Sequence, residues 1–435
     1  MKILFTSSPI IGHLNPVLVA ARVLKNAGHT VAIYTGTLFR EKIESAGFRF
    51  FPLPTDVDFD MRDITVTFPE WKELSGLPQL RYGIKAAFVD SIPSQFRGLR
   101  AVLRDYPPDL IVYETSFCGI LPLLLGPPSL RPPSAFLGIS SSALPREDGA
   151  PWGAGLPPAT SAAQAEEYAA AATEIDGEIT SPVREHADRT LHAMGVEPLP
   201  GPLFESMATL ADLILQPCVP GLEYPVREQD EDKVHFIGAL IPEGTGDAPA
   251  LVKEAKRAGK KVILVSQGTI ANDDLGKLLA PAIQAFGDRE DFLILVTTGG
   301  KPIEMIPCPL SKNTIASKFF NFRQILPDVD VLVAFASYGT VTQALSFGVP
   351  MVVTGIGEDK PEVGARVAWT ETGIYLRTDH PTVEEVRDAV DQILAGENYR
   401  ARASELAKEF AAYDAAREIP QALEALVGEE ALLTK

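Results

Sequence analysis

The stretch Ser8-Pro-Ile-Ile-Gly12-His13-Leu-Asn15-Pro16 decides how this chain is read. An apolar β-type segment, Lys2-Ile-Leu-Phe-Thr6, precedes it, and a helical pattern, Val17-Leu-Val-Ala-Ala-Arg-Val-Leu-Lys25, follows. Ala27-Gly28-His29 then turns the chain into a second strand, Thr30-Val-Ala-Ile-Tyr34. Strand, loop, helix, turn and strand make the opening of a right-handed βαβ unit. Gly12 permits a tight loop, and Pro16 is expected in the first helical turn, where its missing N–H is harmless. His13 thus falls between a strand's carboxyl end and a helix N-terminus, where open α/β sheets place their ligands. Position alone leaves two readings open, a histidine that ties down the loop or a base.

Beyond this unit, residues 39–45 read as a helix and Phe48-Arg-Phe-Phe-Pro52 as a strand. Residues 54–80 lose periodicity and carry Phe59, Phe68 and Trp71, the composition of a long functional loop. Residues 82–104 regain helical spacing, and Asp109-Leu-Ile-Val-Tyr113 is a buried parallel strand ending at Glu114-Thr115. A further strand, Ser134-Ala-Phe-Leu-Gly-Ile139, leads into a loop running through Trp152 to Pro158, followed by Ala- and Glu-rich helix over 162–194. Glu114 ends a strand of the same sheet as His13, so its carboxylate is placed to fix the imidazole tautomer and steady the imidazolium. Asp58-Phe-Asp60 has a spacing that can ligate a divalent cation, but among 57 acidic residues it reads as a solvated loop, and no metal is expected.

A Gly- and Pro-rich stretch, Leu240-Ile-Pro-Glu-Gly244-Thr-Gly246-Asp-Ala-Pro249, reads as an inter-domain linker. A second α/β pattern follows. Lys261-Val-Ile-Leu-Val265 is its first strand, Ser266-Gln-Gly268-Thr269 a tight turn, and residues 275–286 a helix. Phe292-Leu-Ile-Leu-Val-Thr297 is the second strand and Asp330-Val-Leu-Val-Ala334 the third. Tyr338-Gly339-Thr340-Val-Thr-Gln343 then begins a helix, and Val349-Pro-Met-Val-Val-Thr354 is the fourth strand, leading to Glu358-Asp359-Lys360-Pro361. Residues 382–394 and 399–426 are helical. Two such halves facing across a cleft suit a bisubstrate reaction.

At 435 residues, 46% of them apolar, the chain has material for two full domains. A net charge of −18 argues against nucleic-acid and anionic-membrane partners. Three cysteines, Cys118, Cys218 and Cys308, lie far apart in no metal-ligand spacing and suit a reducing cytoplasm. There is no signal-peptide pattern and no stretch long enough to span a bilayer, so a cytoplasmic protein is expected, monomeric or homodimeric.

Gly12-His13-Leu-Asn15-Pro16 through Gly28-His29-Thr-Val31 resembles the opening of inverting glycosyltransferases that use nucleotide-sugar donors. These are the antibiotic, macrolide, flavonoid and sterol enzymes of the GT-B fold. The later turns continue the resemblance, from Gly348-Val-Pro350 to Glu358-Asp359-Lys360-Pro361-Glu362 above all. It implies an α/β fold of two Rossmann-like, doubly wound parallel-sheet domains across a cleft. The domains are expected over 1–240, which binds the acceptor, and 251–412, which binds the donor. A linker covers 241–250, and a helix at 413–435 crosses back to the first domain.

By the same resemblance His13 is the catalytic base and Glu114 its partner, where the family commonly has aspartate. Gly12, Gly268, Thr269, Gly339 and Thr340 border the donor diphosphate, Gln343 the ribose, and Asp359 and Lys360 the sugar. Phe319 takes the place of a tryptophan stacked on the nucleobase, with Phe322 beside it. Phe335 stands where the family has a polar diphosphate ligand, a substitution expected to weaken donor binding. Ile11, Phe59, Phe68, Trp71, Phe88, Phe117, Ser140 and Trp152 are the candidate acceptor wall. The implied co-substrates are a UDP- or TDP-hexose, foremost UDP-glucose, and a small apolar hydroxylated acceptor such as a flavonoid, phenol or polyketide; no cofactor is implied. Two rivals are a non-catalytic relative that binds sugar nucleotides or activates a partner, and a nucleotide-sugar epimerase.

Overall fold

The computed structural model describes residues 1–61, 64–243 and 249–433. Its first sheet comprises β1 (Lys2–Thr6), β2 (Thr30–Thr35), β3 (Arg49–Pro52), β4 (Leu110–Glu114), β5 (Ser134–Leu137), β6 (Leu213–Gln216) and β7 (Val234–Phe236). The second comprises β8 (Lys261–Ser266), β9 (Phe292–Thr297), β10 (Thr314–Ser317), β11 (Val331–Phe335), β12 (Met351–Thr354) and β13 (Gly373–Tyr375). The orders are β3-β2-β1-β4-β5-β6-β7 and β10-β9-β8-β11-β12-β13, and every pairing is parallel. This is the doubly wound order expected from sequence. It reverses direction between β1 and β4 in one sheet and between β8 and β11 in the other. The carboxyl ends of those strand pairs are the crevices where such sheets bind ligands.

The central strands read as continuous Val, Ile and Leu because helices cover both of their faces. Alternate residues feed different cores: Leu4, Ile111 and Tyr113 pack on one face of the first sheet, and Ile3, Phe5 and Val112 on the other. In the second sheet Leu264, Leu332 and Ala334 face one core, while Val265, Val333 and Phe335 face the opposite one.

Several expected boundaries are corrected. The first helix runs over Ile11–Asn26, because Ile10 N–H closes a turn on Ser8 and both His13 and Leu14 N–H bond the Ile10 carbonyl. Pro16 is therefore inside the helix, where it forfeits one intrahelical bond, and Gly12 is helical rather than a loop residue. The strand Val331–Phe335 is the fourth of its sheet, since β10 precedes it. Residues 64–67, 69–73 and 76–84 form short helical segments inside the stretch read as loop. The tail divides into Glu397–Phe410 and Ala415–Leu433.

Chain contacts cross between the halves. Cys218, Val219 and Leu222, which follow β6, are buried in the core of the second sheet with Val252, Leu264 and Phe410. In return Ile419 and Leu423 of the last helix are fully buried against Leu14, Val17 and Leu24 of the helix Ile11–Asn26, in a core on the first sheet. Of the expected linker, residues 244–248 lie outside the described residues. Among the described residues no helix is long and apolar enough to cross a membrane.

Candidate active site

At the first sheet's switch point β1 and β4 lie in register, Thr6 opposite Tyr113, so the residues just beyond them meet. Glu114 is fully buried there. Its Oε1 accepts the Ser8 N–H at 2.8 Å and its Oε2 the Ser116 N–H at 2.8 Å. Oε2 also lies 3.0 Å from His13 Nδ1, and the Ser116 hydroxyl sits 2.7 Å from that nitrogen. Burial opposes the imidazolium of His13, but the Glu114 carboxylate, by charge and by hydrogen bond, outweighs it, and Glu358 and Asp359 add to it. The His13 pKa is raised. Burial pushes the Glu114 carboxyl up, yet His13 and the two backbone N–H groups bring it below its ordinary value. The arrangement is a histidine–carboxylate pair whose carboxylate stays ionised without solvent. With Nδ1 held against Glu114, a neutral ring carries its lone pair on Nε2.

The second sheet's switch point carries the turn after β8 and the helix Tyr338–Ser346 after β11. Gly268 has φ +78°, which favours glycine. Gln267 braces this turn through bonds to the carbonyls of Ala271 and Asp274. Asn272, nearly buried, donates Nδ2 to the carbonyls of Gly268, Thr298 and Gly299 and so joins the turns after β8 and β9. A Cβ on Gly300 would lie 3.0 Å from the Phe319 ring, so that half-exposed phenyl rests on the Gly299-Gly300 turn. Gln343 reaches back over Gly339, and Ser337 bonds Thr340 through their hydroxyls at 2.9 Å.

The two loop systems touch. A Cβ on Gly12 would stand 2.9 Å from Ile270 Cδ1 and 3.9 Å from Thr269 Oγ1, which makes Gly12 a close-approach residue. Glu358 takes φ +55° and pairs with the buried Lys360 ammonium. Lys360 is the main cause of the lowered Glu358 pKa, and burial the main cause of the raised Asp359 pKa. Both carboxylates act on His13 electrostatically from the other half.

Not every expected residue is presented to the cleft. Phe335 is 3% exposed and packs with Ile263, Val265, Val333 and Val352, because strand alternation turns it into the core. Its side chain belongs to the core on that face of the second sheet. Phe117 is likewise fully buried, edge-on to Tyr34 at 5.7 Å, and forms core rather than acceptor wall. Phe322 packs on the second core at the start of the short helix Phe322–Ile325. Phe59 and Phe68 pair edge to face at 5.4 Å, Trp71 covers Gly83, and Phe204 lies between Phe88 and Trp152 at 6.2 and 5.8 Å. Ile11 and Ser140 are half-buried. Asp58 accepts bonds from the Thr37 N–H and hydroxyl. Ser8, Ser116 and Asn272 escaped the sequence reading. Ser116, two residues beyond Glu114, had a local signal; Ser8 and Asn272 act on partners that only the fold supplies.

A family model described as "Erythromycin biosynthesis protein CIII-like, C-terminal domain" matches residues 298–426. The chain is 32% identical to UDP-glycosyltransferase 2 of Phaeomoniella chlamydospora, over 98% of this chain and 95% of that protein. It is 33% identical to 4'-demethylrebeccamycin synthase of Lentzea aerocolonigenes, over 98% of this chain and 99% of that protein. Among solved structures it shares its fold with CalG4, the calicheamicin glycosyltransferase, at a TM-score of 0.74 and 22% identity over 98% of each chain. Two doubly wound sheets, opposed switch-point turns and full-length likeness to these relatives agree: the chain belongs to the UDP-glycosyltransferase family and is a glycosyltransferase of the GT-B fold.

Proposed function

We propose that this glycosyltransferase moves a hexose, foremost from UDP-glucose, to a hydroxyl of a small apolar acceptor, with inversion at the anomeric carbon. The observation that carries the reading is the contact of 3.0 Å between His13 Nδ1 and the buried Glu114 carboxylate. His13 Nε2 takes the acceptor proton, the freed oxygen attacks the anomeric carbon, and the C–O bond to the nucleoside diphosphate breaks on the far face. Glu114 holds the ring and offsets the charge it gains.

Leaving-group charge falls to the backbone N–H groups of the 268–269 turn and of the Tyr338–Ser346 helix N-terminus. That assignment needs no basic patch in a chain of net charge −18, and it dispenses with a polar side chain at Phe335. Phe319, over Gly300, offers a face for the nucleobase, and Asp359 and Lys360 offer polar groups for the sugar. The acceptor wall of Phe59, Phe68, Phe88 and Trp152 favours a flavonoid, phenol or polyketide.

The test is mass spectrometry of phenolic acceptors incubated with UDP-glucose, beside a His13→Ala variant. The expected result is a hexose added by the wild type and lost in the variant. Transfer that persists at the wild-type rate in the variant removes His13 from the mechanism.

A further inference from the structure

Behind the 358–360 turn, the helix Lys360–Trp369 carries Arg366, which is 2% exposed. Its Nε donates to Glu223 Oε2 at 2.8 Å and its Nη1 to Glu362 Oε2 at 2.8 Å, and the guanidinium lies 3.9 Å over the Tyr224 ring. Glu223 and Glu362 are as deeply buried as the arginine. Three charges out of water carry a large desolvation cost, and a cluster serving stability alone is matched by apolar residues. What distinguishes this one is where its other oxygens point.

Glu362 Oε1 accepts the N–H groups of Gly153 and Gly155, both at 2.9 Å, across the cleft. Those glycines have φ +97° and +62°, and a Cβ on Gly155 would lie 2.5 Å from the Pro361 carbonyl. The loop so held carries Trp152, whose ring stands 5.8 Å from Phe204. Glu223 Oε1 accepts the Tyr338 hydroxyl at 2.6 Å, and Gln216, the last residue of β6, donates to the same hydroxyl at 2.6 Å. Tyr338 is the first residue of the helix assigned to the donor phosphates. One cluster therefore ties the Trp152 loop and the donor helix together from opposite halves.

We propose that Glu223, Arg366 and Glu362 are positioning residues for the transfer, which hold the acceptor-side loop at residues 152–155 in register with the donor helix and the 358–360 turn. The proposal rests on the reading of the cleft as a transferase site. It requires that loosening the loop harms the acceptor step and spares nucleotide binding.

Three variants of the full chain test it. Glu362→Asp keeps the charge beside Arg366 but withdraws the carboxylate from the loop. Gly155→Ala drives the loop from Pro361 and leaves the buried charges intact, which covers the case in which Glu362→Asp fails to fold. Gly195→Ala is the control, with φ +72° and nothing within 4 Å of the added Cβ. The readouts are amide hydrogen exchange over residues 152–156, acceptor kinetics, and the UDP dissociation constant by calorimetry. In the first two variants exchange in the loop is expected to quicken about tenfold and acceptor kcat/KM to fall about tenfold. UDP affinity should stay within about twofold of wild type, and the control should match wild type in all three readouts. Variants with unchanged acceptor kinetics, or with UDP binding lost in parallel, overturn the proposal while the transferase stands. A wild type that transfers sugar to no acceptor overturns the function reading and takes this proposal with it.

Discussion

Glu114 can serve His13 because it is saturated: two backbone N–H groups, the Ser116 hydroxyl and the imidazole share its two oxygens, and the carboxylate itself is fully buried. A carboxylate so held cannot swing away when the ring gains a proton. Glu114→Gln keeps the shape and removes the charge, so kcat/KM should fall by about a hundredfold or more with UDP affinity unchanged, as steady-state kinetics and calorimetry would show. A loss of UDP affinity on the same scale would mean that Glu114 organises the donor instead. The glutamate's extra methylene over aspartate is accommodated because Ser8 and Ser116 bracket it from two strand ends. Linkage follows from the same contacts. Since the folded pKa of His13 is raised, its ion pair stabilises the protein fully below the unfolded value and is lost as pH climbs through the folded value.

The elements that sequence made legible are those whose backbone is buried on both faces. Lys2–Thr6, Leu110–Glu114 and Lys261–Ser266 are apolar runs bounded by turns, and periodicity alone finds them. The strands β6, β7, β10 and β13 are three or four residues long, and Val-His-Phe or Thr-Ile-Ala-Ser carries too little pattern to stand out. The site was legible to the same degree. Its turns are readable as glycines after strands, whereas a strand-end residue such as Phe335, one position from the turn, can face cleft or core. Strand alternation settles this, and it makes a prediction. Phe335→His buries a polar ring among Ile263, Val265 and Val352 and should cost about 3 kcal/mol in urea unfolding without tightening UDP binding. Unchanged stability with tighter UDP binding would place position 335 in the donor site after all.

At the scale of the molecule, two sheets of the same winding face each other, so one switch point presents the His13–Glu114 pair and the other presents the turn at Gly268 and a helix N-terminus. Neither half is complete alone. Residues after β6 fill the second core, and the last helix closes the first by burying Ile419 and Leu423. Leu423→Ala should therefore cost about 2–5 kcal/mol, read by urea unfolding of the full chain, although it lies in the last helix and far from β1 in sequence. An unchanged midpoint would mean that this helix is not part of the first core.

In the proposed mechanism His13, tuned by Glu114, is the base. The most direct measurement is kcat/KM against pH from about pH 5 to about pH 9, for the wild type and for Glu114→Gln. The base works only when unprotonated, and the carboxylate raises its pKa. The wild-type rate should therefore rise through an inflection above 6.5, and that inflection should move to lower pH in Glu114→Gln. A wild-type profile flat across the range, or an inflection that the variant leaves in place, would remove His13 as a base tuned by Glu114.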